Sequence, residues 1–240
     1  VHSERKMPQH YYDINVVPLN SSVEDFIDFA RELGFSGICI CITEANKVHE
    51  ISAIVKENVL IDVGLRYYAD EKNIGKLKHA ISKIRRCVEI VSVVCTNREV
   101  AAWAARDGRV DILTFSSYEN FKVFTDAAAR LAGKLNKAIE IPIRLLLHVR
   151  GVKRIRLLYE IRRILWLAGR FGLSTVISSG AHSIYEMRAP RDLLSVATTL
   201  LKLDRRSAEK AISETPLSII KKNREKLSDT FILPGVRLIK

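Results

Sequence analysis

Asp13-Ile14-Asn15-Val16-Val17-Pro18 runs straight into Leu19-Asn20-Ser21, with no glycine between a first apolar strand and the polar residues that open the first helix. A dinucleotide-binding, doubly wound sheet carries its Gly-rich phosphate turn at this place, so the stretch removes the best evidence for that fold. Outward from it, the apolar runs are short, rich in Val and Ile, and separated by segments of helical period. That is the pattern of repeated βα units around a parallel sheet. Strands are predicted at Asp13 to Val17, Gly37 to Ile42, Val59 to Val63, Val88 to Val94, Val110 to Phe115, Lys137 to Ile143 and Ser174 to Ser178, with Arg144 to His148 offering an extension of the sixth. The expectation is an α/β fold, a TIM-barrel-like barrel of about seven parallel strands with surrounding helices.

The helices announce themselves by caps and periodicity. Ser21-Ser22-Val23-Glu24-Asp25 supplies a hydroxyl cap with acids in the first turn, and Phe26, Phe29, Ala30 and Leu33 form one apolar face before Gly34. Asn97 starts another helix, closed at Gly108, and Tyr118 to Leu135 reads as a third with Phe121, Phe124, Ala128 and Leu131 on its core face. At 240 residues the chain has the size of one barrel domain. We expect a flexible extension at 1–10, a single α/β barrel domain over 11–228, and a tail at 229–240 that carries the turn signal Pro234-Gly235.

Charge is unevenly spread. Residues 1–120 hold 15 Lys and Arg against 17 Asp and Glu, whereas residues 121–240 hold 24 against 10. A one-sided basic surface attracts a polyanion and releases its counterions, which points to nucleic acid; solvated helix faces are the alternative reading. The apolar run Leu145 to Leu147 is flanked by Arg144 and Arg150, and no apolar run in the sequence approaches the roughly 20 residues that span a membrane. With no signal-peptide pattern at the start, a soluble, cytoplasmic protein is expected. Cys39, Cys41, Cys87 and Cys95 form no C-x-x-C pair and read as buried, reduced thiols.

In a βα barrel, chemistry sits at the C-terminal ends of the strands. There the sequence offers Asp13, Asn15, Thr43, Glu44, Thr96, Asn97, Ser116, Ser117, His148 and, after the seventh strand, Ser178, Ser179, Gly180 and His182. Asp13, Glu44, His148 and His182 could be assembled into a metal or acid-base site. Against this, the six histidines are scattered, with no pair that supplies two ligands from one element. Metal-dependent phosphoesterases of the polymerase and histidinol phosphatase type place a His-x-His pair on the first strand, where this chain reads Asp13-Ile14-Asn15. No catalytic residue and no protein-bound metal or cofactor are expected.

The stretch Ser178-Ser179-Gly180 is small and polar, and Pro190 opens the next helix with Asp192 in its first turn. Such a loop exposes backbone N–H groups in the way many barrels bind phosphate, and it is equally an ordinary strand-to-helix turn. The run Ile177-Ser178-Ser179-Gly180-Ala181 with Tyr185-Glu186-x-Arg188-x-Pro190-Arg191-Asp192 resembles the signature of the 30-kDa protein subunit family of archaeal and eukaryotic ribonuclease P. Tyr12-Asp13-Ile14-Asn15, Gly34-Phe35-x-Gly37 and Glu140-Ile141-Pro142-Ile143 are similar to that family too. The resemblance covers roughly Tyr12 to Asn223, and the absence of a long polar tail after it points to the archaeal form.

That resemblance implies a non-catalytic RNA-binding subunit supporting RNA-catalysed removal of the 5′ leader from precursor tRNA, with magnesium at the RNA active site. Its implied partners are the ribonuclease P RNA, a small RRM-like ribonuclease P protein subunit and the other protein subunits, and no membrane. A metal-dependent phosphoesterase on a related barrel is the alternative. Candidate RNA contacts are Lys153, Arg156 and Arg163 on a basic ridge opposite an apolar face of Ile155, Leu158, Ile161, Leu165 and Ala168. Further candidates are the Ser178, Ser179, Gly180 loop with Arg188 and Arg191, and the clusters Lys202, Arg205, Arg206 and Lys221, Lys222.

Overall fold

The computed structural model describes residues 10–58, 60–228, 230–233 and 236–237. Its elements run β1 (Tyr12–Val16), α1 (Val23–Glu32), β2 (Gly37–Ile42), α2 (Val48–Glu57), β3 (Asp62–Ala69), α3 (Ile74–Ile84), β4 (Ile90–Val94), α4 (Arg98–Arg106) and β5 (Ile112–Thr114). They continue through α5 (Tyr118–Val123), α6 (Asp126–Lys134), β6 (Ala138–Pro142), α7 (Arg144–His148), α8 (Gly151–Phe171), β7 (Ser174–Ser178), α9 (Pro190–Thr199), α10 (Arg205–Ile212) and α11 (Glu214–Leu227). A short antiparallel hairpin, β8 (Phe231–Leu233) with β9 (Val236–Arg237), follows. The expected flexible extension at 1–10 lies, but for His10, outside the described residues, as do Pro234 and Gly235 of the tail.

β1 to β7 pair in sequence order, all parallel, and the two edges meet at a bridge between Val16 and Ala181. The barrel is therefore nearly closed. Val17 N donates to Ala181 O (2.8 Å) and Asn20 N to His182 O (3.2 Å), which zips the loop after β1 to the loop after β7. Below this zipper the Asp13 carboxylate accepts from Ser179 N (3.1 Å), so a side chain takes the place of a ladder bond. At the opposite end α11 lies against β1, β4 and β7. Its Arg224 reaches Asp62 (2.8 Å), Glu89 (3.1 Å) and Val63 O (3.2 Å), fastening the helix to the starts of β3 and β4.

Strand alternation sorts the side chains into two environments. Ile38, Ile40, Ile42, Val91, Val93, Leu113, Ile139, Ile141 and Ile177 face the helices and form the main apolar core. Inside the barrel, Tyr12, Ile14, Cys39, Ile90, Ile112, Ala138 and Val176 make a lower apolar layer capped by Ile220 of α11. Gly37 belongs where it is because a Cβ there would stand 2.4 Å from the Tyr12 ring and 2.6 Å from Asp62 O.

Several sequence expectations are corrected. The third strand is Asp62–Ala69 rather than Val59 to Val63; Gly64 and Arg66 interrupt its apolar run, and the arginine is accommodated inside the barrel. Arg144 to His148 forms α7 and does not extend the sixth strand. The single helix expected over Tyr118 to Leu135 is two, because Thr125 leaves the helical path and caps α6 by accepting from Ala128 N. Cys87 is exposed, unlike the other three cysteines.

Candidate functional site

Above the apolar layer the barrel interior turns polar, and its centre is Arg66. This fully buried guanidinium donates to both oxygens of Glu140 (2.7 and 2.5 Å), to Ser92 Oγ (2.8 Å) and to Ile14 O (2.9 Å), while Ser178 Oγ donates to Glu140 (2.8 Å). Five strands, β1, β3, β4, β6 and β7, are joined through one network. Burial works against the Glu140 charge, yet the facing Arg66 holds its carboxyl below the usual range. The network is a bonded, charge-balanced plug with little left to offer a substrate.

At the strand ends a small pocket of about 110 Å³ opens, with Asn15, Tyr68, Asp70, Ser116, Arg144 and His182 among its lining. Burial raises Asp70 and lowers His182, so the histidine is neutral near pH 7. Beside it Glu186 accepts from Arg144 (2.8 Å), His148 (2.7 Å) and His182 N (2.8 Å); these bonds, against the effect of burial, hold it ionised. Of the residues from which a metal site could be assembled, only His148 and His182 come together, at Glu186. Asp13 is buried against Ser179 N, Glu44 pairs with Lys47, and His148 pairs with Glu186. Among the described residues no group of three or more His, Cys, Asp or Glu could hold a metal ion.

The Ser178, Ser179, Gly180 loop is more enclosed than its composition suggests. Ser178 and Ser179 are buried, Ser179 N is taken by Asp13, and Ala181 N is taken by Ser179 Oγ (3.1 Å). Gly180 has φ +65°, and a Cβ there would come within 2.8 Å of Pro142 Cβ, so glycine is required on both counts. Arg188 does not meet Glu186. It donates to Tyr185 O (2.8 Å) and Met187 O (2.6 Å), tying the segment before α9 to itself.

The cations divide by environment. Lys153 and Arg156 on α8, Arg191 on α9, Lys202, Arg205 and Arg206 around α10, and Lys221 and Lys222 on α11 are exposed. Arg163 is not part of that surface: its guanidinium donates to Glu160 (2.8 Å), Phe124 O (3.1 Å) and Phe121 O (2.7 Å), anchoring α8 over α5. The expected apolar face of α8 holds except at one residue. Ile161, Leu165 and Ala168 face the core together with Leu157 and Ile164, and Leu158 packs against it, whereas Ile155 is 68% exposed and continues an outward stripe with Val152, Tyr159 and Trp166. Ile155 satisfies the helical period of both stripes, so periodicity could not assign it to one.

Sequence reasoning missed the Arg66–Glu140 pair and the Glu186 hub. The available signal was a lone charge inside each of two apolar strands, Leu65-Arg66-Tyr67 and Ile139-Glu140-Ile141.

Comparison with known proteins adds to this geometry. The family described as RNase P subunit p30 matches residues 10–228. A ribonuclease P protein component 3 from Methanosarcina barkeri is 32% identical over 217 residues, covering 89% of this chain and 90% of the relative. Among solved structures, a chain in the cryo-EM structure of archaeal ribonuclease P with mature tRNA superposes with a TM-score of 0.82 at 24% identity, covering 95% of this chain and 98% of the other. A putative histidinol phosphatase from Listeria monocytogenes shares the barrel at a TM-score of 0.56 and 10% identity, covering 73% of this chain and 96% of its own. Among the described residues no helix is long and apolar enough to cross a membrane.

Proposed function

The chain belongs to the RNase P subunit p30 family and is a protein component of ribonuclease P, and on that premise we propose that its task is to hold RNA rather than to cut it. The observation that supports this most is the state of the barrel interior. Arg66 is committed to Glu140, Asp13 to Ser179 and His148 to Glu186, so these charged groups are engaged within the protein rather than free for a substrate. On this reading cleavage of the 5′ leader of precursor tRNA belongs to the RNA, with magnesium at the RNA active site and none held by this chain.

Phosphate contacts come from the exposed cations: Lys153 and Arg156, Arg191, Lys202 with Arg205 and Arg206, and Lys221 with Lys222. Such contacts fix orientation on the RNA and carry no sequence information themselves. The partners are the ribonuclease P RNA, a small RRM-like protein subunit and the remaining protein subunits, in the cytoplasm. The outward stripe Val152, Ile155, Tyr159 and Trp166 lies among the cations and gives that face an apolar component suited to a protein neighbour.

The deciding experiment is reconstitution of precursor-tRNA cleavage with and without this chain. Cleavage by the RNA and the other subunits should improve when the chain is added, and the chain alone should cleave nothing. Phosphoesterase turnover by the isolated chain with manganese or zinc, lost on changing His148 or His182, would instead establish the barrel as an enzyme.

A further inference from the structure

We propose that the N-terminal end of the barrel carries a pocket for one phosphoryl group, formed by Lys222, Asn223 and Lys226 of α11 with Lys137 at its back. This end of a βα barrel ordinarily serves packing alone. Here a cavity of about 110 Å³ lies between α11, the loop before β6 and the residues leading into β5, and those four side chains line it together with Asp111. Asn223 is 1% exposed, yet neither its Nδ2 nor its Oδ1 has a hydrogen-bond partner. Buried amides left wholly unpaired are rare and mark a missing ligand or water.

The charges around that amide are unbalanced in one direction. Lys137 Nζ donates to Asp107 O (2.6 Å) and Val110 O (2.5 Å), which leaves one of its three hydrogens. Burial lowers Lys137 to about 8 against the opposing pull of Asp111 and Asp107, with Lys222 and Lys226 adding to the lowering, and burial followed by Lys222 lowers Lys226. Two carboxylates oppose them: Asp107, which pairs with Arg109 (2.6 Å), and Asp111. Asp111 already accepts from Val91 N (2.9 Å) and pairs with Arg85 (3.3 Å). An anion in the cavity would relieve the mutual repulsion of the lysines and accept from Asn223 Nδ2.

Asn223 Oδ1 requires a donor as well, which narrows the ligand. A hydrogen phosphate carries both acceptors and a P–OH. An RNA phosphodiester supplies the acceptors, and a ribose 2′-hydroxyl beside it supplies the donor. The shared chemistry is a phosphoryl group with an adjacent hydroxyl. Where its source is RNA, the pocket rests on the RNA-binding role and adds a contact at the far end of the barrel. An ordered water would satisfy the amide but would add no negative charge to that of Asp111 and Asp107 beside the three lysines.

The test follows the Asn223 side-chain amide by NMR in the full chain, its signal assigned by its loss in Asn223→Leu, while inorganic phosphate is titrated against chloride at equal ionic strength. The expected result is a saturable shift specific to phosphate and a Tm about 3–5 °C higher at tenfold excess over Kd. Lys226→Ala should weaken phosphate binding about tenfold. Asn223→Leu should fold with an unchanged or higher Tm and lose the phosphate increment. An Asn223 signal and a Tm that respond identically to phosphate and chloride would overturn the proposal. Adding ribonuclease P RNA to the phosphate-saturated chain separates the sources: displacement identifies an RNA phosphate, and RNA binding without displacement identifies a free phosphate, both consistent with the site. Failure of the whole chain to bind RNA would count against the RNA-holding role and leave the phosphate titration intact.

Discussion

Arg66 on β3 and Glu140 on β6 meet inside the barrel through two parallel hydrogen bonds, with neither side chain exposed to solvent. The two residues lie 74 positions apart in the chain. A bidentate pair of this kind is geometrically specific, and taking both charges out of water is costly unless every remaining donor and acceptor is used. Ser92 and Ile14 O take two further guanidinium hydrogens, and Ser178 donates to the carboxylate.

Removing one partner should therefore cost more than removing both. Arg66→Met or Glu140→Leu is expected to lower unfolding stability by about 3–5 kcal/mol, because one buried charge loses its counter-ion. The double variant Arg66→Met with Glu140→Leu should recover much of that loss. Urea unfolding of the four proteins measures it, and additive single effects would show that the pair is not coupled.

Asp13 should give the fold an acid-side advantage. Burial raises its carboxyl to about 6, with hydrogen bonds from Ser179 and Asn15 only partly opposing. A carboxyl whose folded value lies above its unfolded value of 3.8 binds its proton more tightly when folded. Stability is then highest at low pH as far as this group is concerned, and falls as pH rises from about 4 to about 6, by about 3 kcal/mol in all. Asp13→Asn still offers an oxygen to Ser179 N, and its stability minus that of the parent should grow over this window and be flat above it. A difference curve that is level from pH 4 to 7 would assign the pH dependence to other groups.

The cations of α8 should separate in RNA binding. Replacing Lys153 and Arg156 together is expected to flatten the slope of log affinity against log salt by up to about 2, somewhat under one for each phosphate contact. Arg163→Ala should leave that slope unchanged and lower the Tm, because its bonds run to Glu160, Phe121 O and Phe124 O. A reduced slope with an unchanged Tm in Arg163→Ala would return that residue to the RNA surface.

Arg188 offers a similar choice. Its two bonds to the carbonyls of Tyr185 and Met187 hold the segment between β7 and α9, and Arg188→Ala should cost about 1–2 kcal/mol of stability. RNA affinity at low temperature should remain close to that of the parent. Impaired precursor-tRNA cleavage in the reconstituted enzyme with an unaltered melting curve would instead place its guanidinium on a phosphate.

The parallel barrel was legible in the sequence because short Val and Ile runs separated by capped helices have one economical arrangement, and the Asp13 to Ser21 stretch carries no phosphate turn. Ser22, Asn97 and Pro190 marked helix starts correctly, since capping is chemistry within one turn. The excess of cations in the second half is likewise a property of composition. What only the tertiary structure decided is how each charge is used. Whether Arg66 breaks a strand or fills a barrel depends on Glu140, whether Arg163 faces RNA or a helix end depends on Phe121 and Phe124, and which apolar residues of α8 are buried depends on α5, α6, α7 and β7 packed against it. Those partners are brought together by folding across dozens of residues, and a periodic pattern read along one segment holds no information about what lies opposite it.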